Sequence, residues 1–299
     1  MSLVVNHNMM AMNTARNLNS HYNRLSTSTR RLSSGLRIGT AADDAAGLAI
    51  RELMRSDIST LHQGVRNAND AISLIQTADG ALQTIDEKLI RMKELAEQAS
   101  TGTYDSVQRA MIDSEYQAMA SEITRISMAT DFNNIKLLDG TLSDDTHDGS
   151  GLNSVGKLKI HFGTGNDSDE DYYYIKIGCT TASALGLGNN AGEASKTNGG
   201  FSISTQEMAQ LTLDAITRAI VSKDNIRAHL GAMQNRLEAT ISNLSIQAEN
   251  VQASESRISD VDVATEMTEF VRNQVLSNSA VSMLSQANQL PQMALQLIG

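Results

Sequence analysis

The chain has 299 residues with a formal charge of -10, an aromatic share of 3% and no Trp, and Met outnumbers Phe 14 to 4. The acidic balance excludes nucleic acid and anionic membrane surfaces as principal partners, since both select clustered Lys and Arg. One Cys excludes an intramolecular disulfide and a multi-cysteine zinc cluster, and the scarcity of aromatic bulk favours helical seams of Leu, Ile, Ala and Met over a compact enzyme core.

The opening MSLVVNHNMMAMNTA lacks Lys and Arg, and its apolar run is broken at Asn6, His7 and Asn8. A secretory signal needs a basic start and a longer apolar core, so none is expected. No window reaches the roughly 18 apolar residues of a membrane span either. A protein of this kind leaves the cell, if it does, by another route.

From Asn6 to Ser34, Ala11, Leu18, Leu25 and Leu32 recur every seven residues, with Ala15, Tyr22 and Thr29 between them. This predicts a helix with a thin apolar stripe. Each buried Leu contributes about 1.5 to 3 kcal/mol against roughly 1 to 2 kcal/mol per residue for backbone ordering, so the helix is expected to order only on docking. Ser34, Gly35, Gly39, Thr40 and Gly47 then interrupt it, which reads as a hinge or spoke.

A second helix is predicted from about Asp43 to Ser100, roughly 87 Å long at 1.5 Å per residue, with Gly64 and Gly80 as candidate kinks. Met54, Leu61, Ala68, Ile75, Leu82, Leu89 and Ala96 hold the interval of seven along it. Thr101, Gly102 and Thr103 end it. Asp105 or Ser106 caps a third helix to about Met128, with Val107, Met111, Ala118, Ile123 and Ile126 as inward candidates.

Between Asp139 and Gly200 the character changes, with twelve glycines and nine acids against four Lys. Leu158, Ile160 and Phe162 alternate with polar residues, and Tyr172 to Ile177 reads as a returning strand. Helix resumes at Ser204, which stands at capping-box spacing from Glu207. Leu230, Leu237, Leu244, Val251 and Ile258 form a second seam of period seven, the signature of a helix buried against another helix. Met283, Leu284, Ala287, Leu290, Met293, Ala294 and Leu297 form a last stripe, and Pro291 removes one helical donor within it. The fold class expected is mainly α: a long antiparallel helical rod or coiled coil built from both chain ends, with a small β-containing inserted middle domain.

No catalytic, metal or cofactor constellation stands out. His147 and His161 are fourteen residues apart with no Glu following either, so H-E-x-x-H is absent. The acidic loops 144–148 and 167–171 lack calcium-loop spacing and read as solvated turns. The sequence holds no G-x-S-x-G elbow or P-loop, and Cys179 reads as a bystander thiol.

Several segments closely resemble bacterial flagellin. At the front these are RLSSGLRI (31–38), DDAAGLAI (43–50), RNANDAISLIQTADGAL (66–82) and KELAEQAS (93–100). At the back they are QNRLEATISNL (234–244), AENVQASESRISDVD (248–262) and SQANQLPQMALQLIG (285–299). The resemblance implies a non-enzymatic structural subunit that polymerises with itself into the flagellar filament, secreted and extracellular. It implies export in an unfolded state through the flagellar type III apparatus, a chaperone on the C-terminal segment, and contacts with the filament cap and hook-junction proteins. Both termini would pair as a coiled coil and the middle would project outward.

The resemblance divides the chain into 1–42 and 258–299 for the two halves of the terminal coiled coil, 43–138 and 204–257 for the rod, and 139–203 for a variable outer insertion. Assembly then falls on Leu18, Leu25, Leu32, Met283, Leu284, Leu290 and Leu297, and the rod seam on Met54, Leu61, Ile75, Leu82, Leu89, Leu230, Leu237, Leu244 and Val251. A contact with the vertebrate Toll-like receptor that senses flagellin falls on Arg91, Leu95 and Glu115. The other role the resemblance leaves open is the hook-filament junction protein. An enzyme on the same scaffold finds no constellation in the middle segment.

Overall fold

A computed structural model describes residues 8–144, 156–168, 170–187 and 200–298, without the side chains of 290, 291 and 294–298. The acidic stretch 145–148, with His147, lies outside the described residues, as do the side chains of Leu290 and Leu297. The chain divides into two compact units, Ser59–Ala248 and the pair of end segments Met1–Ile58 and Glu249–Gly299.

In the central unit, helices α2 (Ala45–Ser100), α3 (Ser106–Ala129) and α4 (Gln206–Ser259) supply the core. Leu61, Ala68, Ile75, Leu82, Leu89 and Ala96 of α2 are buried, as are Leu230, Leu237 and Leu244 of α4. The buried face of α2 is broader than a two-helix seam, because Ala71, Leu74, Ala78, Met92, Leu95 and Ala99 are buried as well. A wide apolar face is what a helix needs when it packs on more than one neighbour. Ion pairs Asp79–Arg227 and Asp86–Lys223 join α2 to α4 and fix them antiparallel.

Helix α3 begins at a capping box: the Asp105 side chain accepts from the first turn and Gln108 reaches back to the cap. Its inward stripe starts only at Ile112 and runs through Tyr116, Ala120, Ile123 and Ile126. Val107 and Met111, expected inward, are 60% and 69% exposed, and Ala118 is exposed too. They stand on the far side of the helix from that stripe.

The middle segment packs into the same core. Leu137, Leu138, Leu142, Ile175, Ile177, Leu187 and Ile203 are buried with the helices. Strands β1 (Asp131–Phe132) and β2 (Ile135–Lys136) form a hairpin through Asn133 and Asn134, whose φ values of 51° and 66° suit the short polar side chains that tolerate the left-handed region. Strands β3 (Leu158–His161) and β4 (Tyr172–Ile175) form a second antiparallel hairpin. Gly64 is no kink in α2, which runs uninterrupted through it and Gly80. Its bare Cα instead admits the Phe162 carbonyl, which would lie 2.0 Å from an added Cβ.

Ahead of α4, Tyr116 donates to the Gly200 carbonyl at 2.7 Å, Asp113 accepts from the Ile203 amide at 2.7 Å, and Gln117 donates to the Phe201 carbonyl. The cap of α4 is Thr205 rather than Ser204, since the Met208 amide donates to Thr205 Oγ1 and the first helical residue is Gln206.

In the end unit, α1 (Met9–Ser34) starts at the Asn8 cap and stops at Gly35, whose φ of 72° is the left-handed cap glycine adopts without strain. The break after α1 meets the break after α4. Leu36 bridges Asp260, the Arg37 amide donates to Ser259 O, and the Val261 amide donates to Gly35 O. Helix α5 (Val263–Ile298) then starts on Asp262, which accepts from the Ala264 amide and the Thr265 hydroxyl. Asn8 donates to Ala287 O and Arg31 pairs with Glu266, so α1 and α5 lie antiparallel.

Candidate assembly surfaces

The seam of the α1–α5 pair mixes polar and apolar residues. Its seam on α1 is Ala11, Thr14, Leu18, His21, Leu25, Ser28 and Leu32, partly or fully buried at alternating steps of three and four. Leu18, Leu25 and Leu32 therefore lie in the seam, half-buried, but their companions are Thr14, His21 and Ser28 and not Ala15, Tyr22 and Thr29, which are exposed. Both sets satisfy a heptad, and the partner helix selects between them.

On α5 the matching seam is Phe270, Asn273, Ser277, Ala280, Leu284 and Ala287. Met283, expected in it, is 59% exposed because it falls one position off those steps. Asn273, Ser277 and Ser28 are each 4% exposed. His21 Nδ1 and Ser277 Oγ have no partner among the described residues. Other apolar side chains face away: Met12, Tyr22, Met267, Val271, Val275 and Val281 are all exposed.

Between the two breaks of the end unit, Asp43 accepts from Thr40 Oγ1 at 2.9 Å, from the Thr40 and Gly39 amides and from Arg30. The Thr40 hydroxyl, joined by those amides and the Arg30 charge, holds its carboxyl below the ordinary value. Arg51, nearly buried, donates to the Ile38 carbonyl at 2.6 Å and ties the start of α2 to the segment before it. Met54 and Val251 are half-buried.

On the central unit, Arg91 and Glu115 meet at 2.7 Å across α2 and α3, both about half exposed, and Arg91 also pairs with Glu94. Leu95 is 1% exposed and points into the core, so the three residues do not form one surface. Cys179 packs against Gly140 and faces the Asp139 carbonyl. His161 stacks on Tyr172. Among the described residues no three His, Cys, Asp or Glu are placed to hold a metal ion, and no helix is long and apolar enough to cross a membrane.

Known proteins share this organisation of the sequence. Residues 5–143 match the bacterial flagellin N-terminal helical region and residues 213–298 the bacterial flagellin C-terminal helical region. A flagellin of Halalkalibacterium halodurans is 42% identical over 296 residues, spanning 99% of this chain and 100% of that protein. A flagellin of Bacillus subtilis is 42% identical over 309 residues, spanning 98% and 99%. Among solved structures, that of Bacillus cereus flagellin is 27% identical and covers 64% of this chain and 94% of its own, with a TM-score of 0.47.

Proposed function

The chain belongs to the bacterial flagellin family and is a subunit of the flagellar filament, and from that premise we propose that it travels unfolded through the flagellar type III apparatus and completes its fold only on joining the filament. One observation carries the reading: the α1–α5 pair buries Ser28, Asn273 and Ser277 and exposes Met267, Val271 and Val275. An isolated pair so arranged gains only part of what its apolar surface could give, since polar residues share the seam with half-buried Leu18, Leu25, Leu32 and Leu284 and two seam polar atoms, His21 Nδ1 and Ser277 Oγ, have no partner among the described residues. Neighbouring copies supply the missing surface, which couples ordering to polymerisation. One operator repeated without closure then yields a helical filament.

The terminal segments are the part a chaperone holds on the C-terminal side and the filament cap receives. Near full-length relatives named flagellin favour the filament over the hook-filament junction role. A vertebrate Toll-like receptor would meet Arg91 and Glu115, with Leu95 holding the helix beneath them. Arg91→Asp leaving a receptor reporter unchanged discards that contact.

The assembly reading is tested with Val271→Glu/Val275→Glu in the full chain. The expected result is loss of filaments by electron microscopy, with the unfolding transition of the central unit unmoved. Deleting 1–34 or 260–299 is expected to do the same. Filaments of ordinary length from any of these proteins overturn it.

A further inference from the structure

Along α5, Val263, Met267, Val271 and Val275 follow one another at steps of four, and all of them are exposed. Residues at that step are neighbours on a helix surface, and this row lies away from the seam that holds Asn273 and Ser277. Met267 alone among the four carries a sulfur, and it is 44% exposed.

The geometry points to Met267 as a modification site, at which a peroxide converts the thioether to a sulfoxide and keeps an unpolymerised chain out of the filament until the sulfoxide is reduced. The inference rests on the filament reading above, which gives the outward face of α5 to neighbouring copies, and adds to it a reversible chemical control.

The step is an oxygen transfer. Hydrogen peroxide passes one oxygen atom to the sulfur: the O–O bond breaks, an S–O bond forms, the sulfur loses two electrons and water leaves. Methionine sulfoxide reductases reverse it, one enzyme for each sulfoxide epimer. The product is polar where the thioether was apolar and adaptable. Its oxygen accepts hydrogen bonds from water while the row is open and loses them when a neighbouring copy covers it. Val263 and Val271, on either side in the row, offer it no side-chain donor.

Location separates Met267 from the other methionines. Met92 and Met233 are buried in the core of the central unit, out of reach of an oxidant in water. Met111 and Met128 are exposed but belong to α3 of that unit. Met9, Met10, Met12 and Met283 are exposed at the ends, yet the residues four places on are Asn13, Thr14, Arg16 and the seam's Ala287. None of them is flanked by exposed valines as Met267 is.

The test treats the unpolymerised full chain with dilute hydrogen peroxide, removes the peroxide, adds seeds of sheared polymer and measures pelleted protein, with peptide mass spectrometry reporting the oxygen gained at Met267. The oxidised chain is expected to pellet at least tenfold less than the untreated chain and to recover after treatment with both reductases. Met267→Leu is expected to polymerise and to keep most of its yield through the same peroxide. Met267→Gln, polar without any oxidant, is expected to lose at least tenfold. In polymer formed beforehand, Met267 should gain oxygen at least tenfold more slowly than in the free chain, a comparison that needs no variant and decides if Met267→Leu fails to polymerise. Equal uptake in polymer and free chain, an ordinary yield from Met267→Gln, or a Met267→Leu chain as sensitive to peroxide as the unsubstituted one overturns the assignment. Untreated, unsubstituted chain that does not pellet overturns the filament reading instead.

Discussion

Lys223 of α4 donates to Asp86 of α2 across 2.5 Å while its side chain is 1% exposed, with Asp224 as a second partner at 2.7 Å. The pair lies in a seam whose Leu and Ile positions repeat every seven residues and would fit equally well after a slip of one heptad. A slip one way sets Lys223 against Lys93, and the other way sets Arg227 against Ile72 in place of Asp79. Each loses an ion pair, so the charges select among registers that the apolar residues leave nearly equal.

Breaking a buried pair from one side strands the other charge, typically at about 3–5 kcal/mol. Asp86→Leu is therefore expected to destabilise the central unit, by less than that range because Asp224 still faces the ammonium. Lys223→Met/Asp86→Leu together is expected to recover the loss or exceed the original stability while relaxing the register. Denaturant unfolding measures the first effect, and disulfide trapping between cysteines placed at native and slipped partners measures the second. Equal losses in the single and double variants would refute the account.

Two glycines of α2 make a paired comparison. An added methyl at Gly64 meets the Phe162 carbonyl at 2.0 Å, whereas one at Gly80 meets nothing within 4 Å. Gly64→Ala must push the β3–β4 hairpin off the helix and weaken the Asn67 bond to His161, at about 1–3 kcal/mol by analogy with overpacked cores. Gly80→Ala removes a poor helix former at an open site and is expected to stabilise by up to about 1 kcal/mol. Thermal unfolding of the two variants should shift in opposite directions. Shifts of one sign would show that hairpin contact is not what Gly64 serves.

Much of the helical framework is legible in the sequence because a stripe kept at seven-residue intervals over many turns arises from little besides helices packed side by side. Leu61 through Ala96 and Leu230 through Leu244 are of this kind. Short or ambiguous signals fail for physical reasons. Along α1 a companion at plus three or plus four satisfies the same period, and only the α5 surface decides for Thr14, His21 and Ser28. Val107 and Met111 are as apolar as any inward pair, so nothing local reveals that the stripe of α3 starts one position later. The β1–β2 hairpin has strands too short for alternation, yet Asn133-Asn134 carried a turn signal. A lysine in an apolar seam reads as solvent-facing until Asp86 is seen opposite it, and the outward apolar face of α5 has no partner among the described residues to point it out.

One of the three α3 side chains that hold the entry to α4 is a phenol. Tyr116 is fully buried and donates to the Gly200 carbonyl; burial, with the nearby Asp113 charge, pushes its ionisation well above the ordinary range, so the hydroxyl keeps its proton and stays a donor. Tyr116→Phe keeps the ring and strands the carbonyl, for an expected loss of about 1–3 kcal/mol. Urea unfolding monitored by far-UV dichroism would show it as a lower midpoint with an unchanged slope. A midpoint that does not move would mean that the carbonyl finds water or another donor.

Acid should weaken the break between α1 and α2. Asp43 gathers the Thr40 hydroxyl, the Thr40 and Gly39 amides and Arg30, and these hold its carboxyl below its ordinary value of 3.8. A carboxyl depressed in the folded state contributes its full stabilisation above the unfolded value and loses it as pH falls through the folded one. The end unit is therefore expected to hold a constant midpoint from pH 7 to about 5 and to weaken below about 4. Asp262 and Asp171, also depressed by hydrogen bonds, add to the loss in the chain as a whole. Asp43→Asn removes one such carboxyl, so its deficit against the unsubstituted chain should be largest near neutrality and shrink toward about pH 3. Melts across that range, followed at the end unit by a probe on α1, check the sign: a deficit that widens on acidification would mean that Asp43 is protonated in the folded chain and that its partners hold it in some other way.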